Sequence, residues 1–392
     1  MAAEPEAEAG EWVDSQARFE DLCRIWSGVE RYSLDTEFHR ERTYFPRLAL
    51  LQVAWDGGVA LVDPLAVDVR PLAQVLSGSG TMVAHAGDQD IEVLELACGE
   101  APSRLFDTQV AAGFLGMATP SLSRLAESLI GVSLPKSDRL TDWTRRPLTA
   151  GQQAYAASDV IHLEEIRRVL AGRLEALGRL GWAEQECLEL VTRRRQPSPP
   201  EQAWWKMRDS RSLKGRSRGV AQEVAAWRER RAAELDRPAR HVLPDMALAS
   251  IAHRPPRSRS ALSETRGLEG RSIGKDNEAD LLAAVERGLE LPASEVRMPP
   301  ETSVDRDRRP AVALAAAWVG QLAEDLDIDA GLLATRSELS DLLSGRPGRL
   351  DDGWRAEVVG HPVKALAAGS AALAFNGRGG LVLEERSRRP VP

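Results

Sequence analysis

Residues 32–65, YSLDTEFHRERTYFPRLALLQVAWDGGVALVDPL, contain three apolar runs separated by charged and turn-forming residues. YSLDTEF, RLALLQVAW and GVALVDPL each have the length and composition of a β-strand, and the short connections between them predict hairpins. MVAHAG (82–87) reads as a further strand. SLSRLAESLIGV (121–132) and the stretch 150–190 have helical spacing, with Gly178 and Gly181 placed to break the longer one. Strands that pair locally, followed by helices that cover them, predict an α/β domain with a mixed sheet.

The chain has 392 residues, 43% of them apolar and 28% charged, which suits two or three globular domains. No apolar run reaches membrane-spanning length, so no membrane partner is expected. The first eleven residues are acidic and lack the basic start and apolar stretch of a signal peptide, so they read as a solvated tail. Cys23, Cys98 and Cys187 are odd in number and widely spaced, which predicts reduced, buried thiols and a cytoplasmic protein. The net charge of −8 is unevenly spread: residues 193–275 hold 20 lysines and arginines against 9 acidic residues. An acidic chain with a basic middle suits a carboxylate-rich metal site joined to a phosphate-binding module.

Three groups of acidic residues carry the chemistry. In YSLDTEF, Asp35 and Glu37 project from one face of a strand about 7 Å apart along the chain. Two carboxylates in an apolar strand need either water or a cation. In MVAHAGDQDIEVL, a strand ends and a helix begins, so Asp88 suits a helix cap while Asp90 is free to face another group. In QQAYAASDVIHL, Tyr155 and Asp159 lie one helical turn apart, downstream of a capping box from Thr149 and Gln152.

D-x-E on a strand, H-A-G-x-x-D at a helix start and Y-x-x-x-D on a late helix together resemble the exonuclease motifs of the DEDD superfamily, in its tyrosine subgroup. The strings LDTEFHRERTYFPRLALLQ, LVDPL, HAGDQDIEVL, FDTQVAA and TDWTRRPLTAGQQAYAASDVIHL are similar to those of the ribonuclease D family, over residues 12–190. The resemblance implies a ribonuclease H-like mixed-sheet exonuclease domain. It assigns Asp35, Glu37, Asp90 and Asp159 to two divalent cations, Mg²⁺ or Mn²⁺, and chooses Asp90 over Asp88. It also makes Tyr155 the residue that orients the attacking water. Such cations prefer carboxylate and water oxygens, whereas a phenol with the ordinary pKa of about 10 is a weak base at neutral pH. His85, Lys136 and Trp143 fall in matching strings and are secondary candidates for substrate contact. Phe38 suits either the terminal base or the core, and Asp107 reads as a helix cap.

RRRQPSPPEQ (193–202) combines positive charge with three prolines and reads as a linker. Beyond it, VAQEVAAWRERRAAELDR places Val220, Val224, Trp227 and Ala232 or Leu235 on one helical stripe, with arginines opposite. WRERRAAELDRPARHVLPDMALASIAHRPPRS resembles the helicase-and-RNase-D C-terminal domain, a small helical bundle, and that resemblance implies auxiliary nucleic-acid binding. Arg208, Arg211, Lys214, Arg216 and Arg218 are the basic residues placed to track phosphates. RGLEGRSIGKDNEADLL (266–282) departs from the pattern and puts local order there in doubt. The block 310–383 resembles a degenerate second copy of the bundle. The expected organisation is a tail (1–11), an exonuclease domain (12–195), a helicase-and-RNase-D C-terminal domain (201–291) and a second, degenerate all-α bundle (306–385).

The expected activity is 3′→5′ removal of nucleotides from RNA ends by two-metal hydrolysis, with transfer RNA precursors the natural substrates and a monomer favoured. A DNA-directed 3′→5′ exonuclease and an inactive RNA-binding module are the alternatives.

Overall fold

The computed structural model describes residues 10–135, 141–193, 198–268, 274–299 and 308–386. Six strands form one mixed sheet: β1 (Glu11–Val13), β2 (Arg31–His39), β3 (Arg47–Trp55), β4 (Gly58–Val62), β5 (Thr81–Ala84) and β6 (Leu105–Asp107), in the order β1-β4-β3-β2-β5-β6. β2, β3 and β4 form the expected antiparallel hairpins. β1, whose three residues are too few to show a period, adds parallel to β4; β5 and β6 continue parallel beyond β2.

Strand alternation separates two faces. Tyr32, Leu34, Leu51, Val53, Val62 and Met82 point to one face and pack on α1 (Gln16–Trp26), α2 (Leu72–Leu76) and α3 (Asp88–Cys98). The other face meets α4 (Thr108–Gly113), α5 (Leu122–Ile130), α6 (Ala150–Ile161) and α7 (Leu163–Ala176), with Leu50 and Leu61 against Ala156 and Ala157, and Val83 against Val160. The stretch 150–190 is three helices, because His162 ends α6 and residues 177–179 separate α7 from α8 (Leu180–Thr192). Gly178, at φ 67°, makes the second break, whereas Gly181 lies inside α8. All three cysteines are buried and free.

The basic middle folds around α9 (Arg216–Glu234), α10 (Ala239–Val242), α11 (Asp245–His253), α12 (Arg259–Ser263) and α13 (Lys275–Glu290). Val220, Val224, Trp227 and Ala232 face its core as the stripe requires, and Leu235 is exposed. Arg228 departs from the expectation of outward arginines: it is buried and pairs with Asp245 at 2.6 Å. Of the doubtful segment 266–282, residues 269–273 lie outside the described residues; Leu268 and, from α13, Leu281 join this core.

The final block contains α14 (Arg309–Leu326), α15 (Ala330–Leu333), α16 (Arg336–Leu343), α17 (Gly353–Arg355) and α18 (His361–Ala367). It ends in an antiparallel hairpin, β7 (Ala371–Phe375) with β8 (Leu381–Glu385), which the Ala-rich composition did not announce. Trp318, Val319, Leu339 and Val363 share a single apolar core with Phe106, Phe114, Ile166 and Leu174 of the sheet-bearing part. Trp354 stacks on Trp182 with ring centroids 4.9 Å apart. Arg355, 2% exposed, pairs with Glu186 of α8, which also holds Arg349 at 2.6 Å. Among the described residues, no helix is long and apolar enough to cross a membrane.

A buried arginine deprived of its carboxylate is costly, whereas replacing the whole pair by apolar groups is not. Glu189 remains 3.6 Å from Arg355, so Glu186→Ala is expected to destabilise the joint core by about 3 kcal/mol, the lower end for a broken buried pair. Adding Arg355→Met should recover much of that loss. Scanning calorimetry of the two variants checks both statements.

Candidate active site

β2 extends past its neighbour. It pairs with β5 only through Arg31, Tyr32 and Ser33, so from Leu34 onward the edge facing β5 lacks a strand partner. The acidic residues gather at this protruding end. Asp35 and Glu37 project to the face covered by α6, where Asp159 meets them. One carboxylate oxygen from each of the three lies within 4.8 Å of the other two.

Thr36, between the two acids, points to the opposite face and receives Asp90 from the first turn of α3. Its backbone N–H donates to Asp90 Oδ1 at 3.2 Å and its hydroxyl donates to the same oxygen at 2.5 Å. Asp90 thus reaches the strand from the far side of the sheet and occupies part of the vacant edge. Asp88 is not the cap expected of it: Gly87 holds the cap position of α3 and Asp88 is the first helical residue. Asp107 caps α4, accepting from Gln109 and Val110, and also accepts from Ala86 and Gly87 at 3.1 and 2.8 Å. It holds the turn that precedes Asp90.

The Thr149–Gln152 capping box starts α6 as expected. The Tyr155 hydroxyl donates to Asp159 one turn later. Trp143 lies beside Tyr155, with ring centroids 6.0 Å apart. A half-buried ion pair fixes the segment leading into α6: Arg146 donates to both Asp63 oxygens, at 2.6 and 2.7 Å, and to the carbonyls of Ala49 and Trp143. Neither Thr36 nor the Asp63–Arg146 pair stood out in the sequence. A lone threonine between two acids has no period, and the partners Asp63 and Arg146 are 83 residues apart.

Of the secondary candidates, His85 approaches Thr108 at 2.9 Å and the Pro120 carbonyl, and burial lowers its pKa despite the nearby Asp107. Phe38 follows a bulge in β2 and packs half-buried on the first core. Lys136 lies outside the described residues.

Burial and mutual repulsion act on the carboxylates together. Asp35 is raised well above the usual range by burial, then by Asp90, Asp159 and Glu37. Glu37 is pushed up to about 8 by burial, Asp159 and Asp90. Burial takes Asp159 to about 7, opposed by the Tyr155 hydrogen bond. It takes Asp90 to about 6, opposed by Thr36. Among the described residues, no lysine or arginine stands within ion-pairing distance of any of the four. An all-oxygen, all-anionic donor set with no side-chain cation among it fits hard divalent cations.

A family description, "3'-5' exonuclease", matches residues 10–175, and "HRDC domain" matches residues 217–285. The chain is 38% identical to a ribonuclease D of Jannaschia sp. over 88% of this chain and 92% of that protein. It is 35% identical to ribonuclease D of Escherichia coli over 88% and 95% of the two chains. The crystal structure of Escherichia coli RNase D, "an exoribonuclease involved in structured RNA processing", superposes with a TM-score of 0.82 at 33% identity, covering 92% of this chain and 98% of that one. With the fold and near full-length sequence similarity in common, the chain belongs to the ribonuclease D family.

Proposed function

We propose that this protein is a 3′→5′ exoribonuclease that hydrolyses the terminal phosphodiester of RNA and releases 5′-mononucleotides. Its substrates are the 3′ ends of structured RNAs, transfer RNA precursors among them, and it acts as a cytoplasmic monomer. The observation that carries the reading is the convergence of Asp35, Glu37 and Asp159 oxygens within 4.8 Å of one another. With Asp90 on the far side of β2, the four carboxylates would hold two divalent cations, Mg²⁺ or Mn²⁺. When bound, these supply Lewis-acid activation of water and charge stabilisation at the scissile phosphate.

The protein's own groups do the rest. The Tyr155 phenol, on the same face of α6 as Asp159, orients the attacking water by hydrogen bonding. Trp143 braces the phenol and gives an apolar flank to the terminal nucleotide. Thr36 keeps Asp90 aimed at the cluster. We further propose substrate contacts for His85 and Phe38 and, from its sequence string alone, a phosphate-binding role for Lys136. The helical middle is a second RNA-binding surface: Arg216, Arg257 and Arg259, with Glu286 and Glu290 among them, line a groove of about 890 Å³.

Three measurements test this reading. With 3′- and 5′-labelled RNA, Asp35→Asn and Asp159→Asn should lower kcat/KM on the order of a thousandfold while RNA binding persists. Turnover close to that of the parent would reject the site. For the paired substitutions Arg216→Ala and Arg257→Ala, the slope of log affinity against log salt should shrink by about 0.7 for each phosphate that the variant leaves unneutralised. An unchanged slope removes the groove from the RNA path.

The third concerns pH. Carboxylates whose folded pKa is raised bind more protons folded than unfolded between about 4 and 8, so stability falls as pH rises through that window. The metal-free protein should therefore melt lower at pH 8 than at pH 5, and added Mg²⁺ should cancel the difference. Thermal melts in EDTA and in Mg²⁺ check this, and a metal-free melting point that rises with pH contradicts it.

A further inference from the structure

Gln52 lies near the middle of β3, directly opposite Asp35 across the β2–β3 ladder. Opposed residues in an antiparallel pair project to the same face, so the Gln52 amide shares the face beneath α6 with Asp35. Its neighbours two positions away agree with that direction: Leu50 packs with Ala156 and Ala157, and Ala54 packs with Val160. The residue on its other flank, Leu61 of β4, is apolar. Gln52 is fully buried, and neither its Nε2 nor its Oε1 has a hydrogen-bond partner among the described residues.

Buried amides are nearly always paired, and an unpaired donor and acceptor destabilise the fold that contains them. A leucine or methionine would fill the same space between Leu50 and Ala54 without that loss. The side chain directly across the ladder is the Asp35 carboxylate, and carboxylates that ligate a cation are commonly steadied by a donor on the oxygen turned away from the ion.

We propose that Gln52 is a positioning residue for the acidic cluster. With a divalent cation bound, Gln52 Nε2 donates to the outer oxygen of Asp35, fixing the carboxylate plane for metal ligation. The inference rests on the proposed metal site and adds to it a cost carried by the metal-free fold. Gln52 acts through Asp35 and touches neither substrate nor reacting atoms. In the sequence the signal is one amide inside the apolar run LALLQVAW, and only the register with Asp35 gives it a partner.

The test uses the full chain with Gln52→Met and Gln52→Leu, and reads two quantities besides turnover. Mn²⁺ titration by calorimetry should show affinity weakened about tenfold or more. Melting in EDTA should show metal-free stability equal to or above that of the parent, because an unpaired amide has been replaced by an apolar group. Mn²⁺ affinity within twofold of the parent in both variants overturns the proposal. So does a lower metal-free melting point in both, which would make Gln52 a packing residue. Asp159→Asn serves as the control: if the parent and Asp159→Asn bind Mn²⁺ equally, the metal site itself fails. If only the Gln52 variants match the parent, the site stands and this inference alone falls.

Discussion

Repulsion among four carboxylates at the protruding end of β2 is the constraint on which the rest of the site depends. Asp35 and Glu37 lie on one side of the strand with Asp159, and Asp90 is tied to Thr36 on the other. Left to themselves, buried like charges would take up protons or move apart. Here they take up protons, as the raised pKa values of Asp35, Glu37 and Asp159 record, because three rigid elements keep them from moving apart. β2 is held in the sheet by β3, α3 by the Asp107-anchored turn before it, and α6 by its capping box and the Asp63–Arg146 pair. The architecture stores unfavourable electrostatics that a dication relieves. Such stored repulsion is what the proposed metal site requires.

The surrounding domains are attached to this arrangement. The loop that follows Glu37 reaches the helical middle: Tyr44 donates its hydroxyl to Glu229, and the backbone N–H groups of Tyr44 and Phe45 donate to Asp236. On the other side, the C-terminal block closes the core of α4, α5 and α7 and locks onto α8 through Glu186. The strand that bears Asp35 and Glu37 is therefore not an isolated unit. The helical middle and the block that completes the core both hold elements adjoining the carboxylates. A truncation after residue 202 would leave Phe114, Trp182 and Leu174 without their cover.

Local periodicity made much of this legible. The two-residue spacing of Asp35 and Glu37, the four-residue spacing of Tyr155 and Asp159 and the Thr149–Gln152 box each translate directly into geometry. What stayed hidden depends on contacts between distant residues. Thr36 holds Asp90 only because β5 stops short, and no spacing encodes where a neighbouring strand ends. Asp88 resembled a cap because acidic residues favour that position, yet Gly87 occupies it. The hairpin at 371–385 is Ala- and Leu-rich, a composition that helices share. The merger of the final block with the first domain follows from apolar faces that could equally have closed a separate bundle.

The most direct test is to soak crystals of the protein in Mn²⁺ and locate the ions by anomalous scattering. The account requires a peak bounded by Asp35, Glu37 and Asp159, and a second reached by Asp35 and Asp90. Crystals that bind Mn²⁺ only elsewhere, or that show these four side chains turned away from one another, would contradict it.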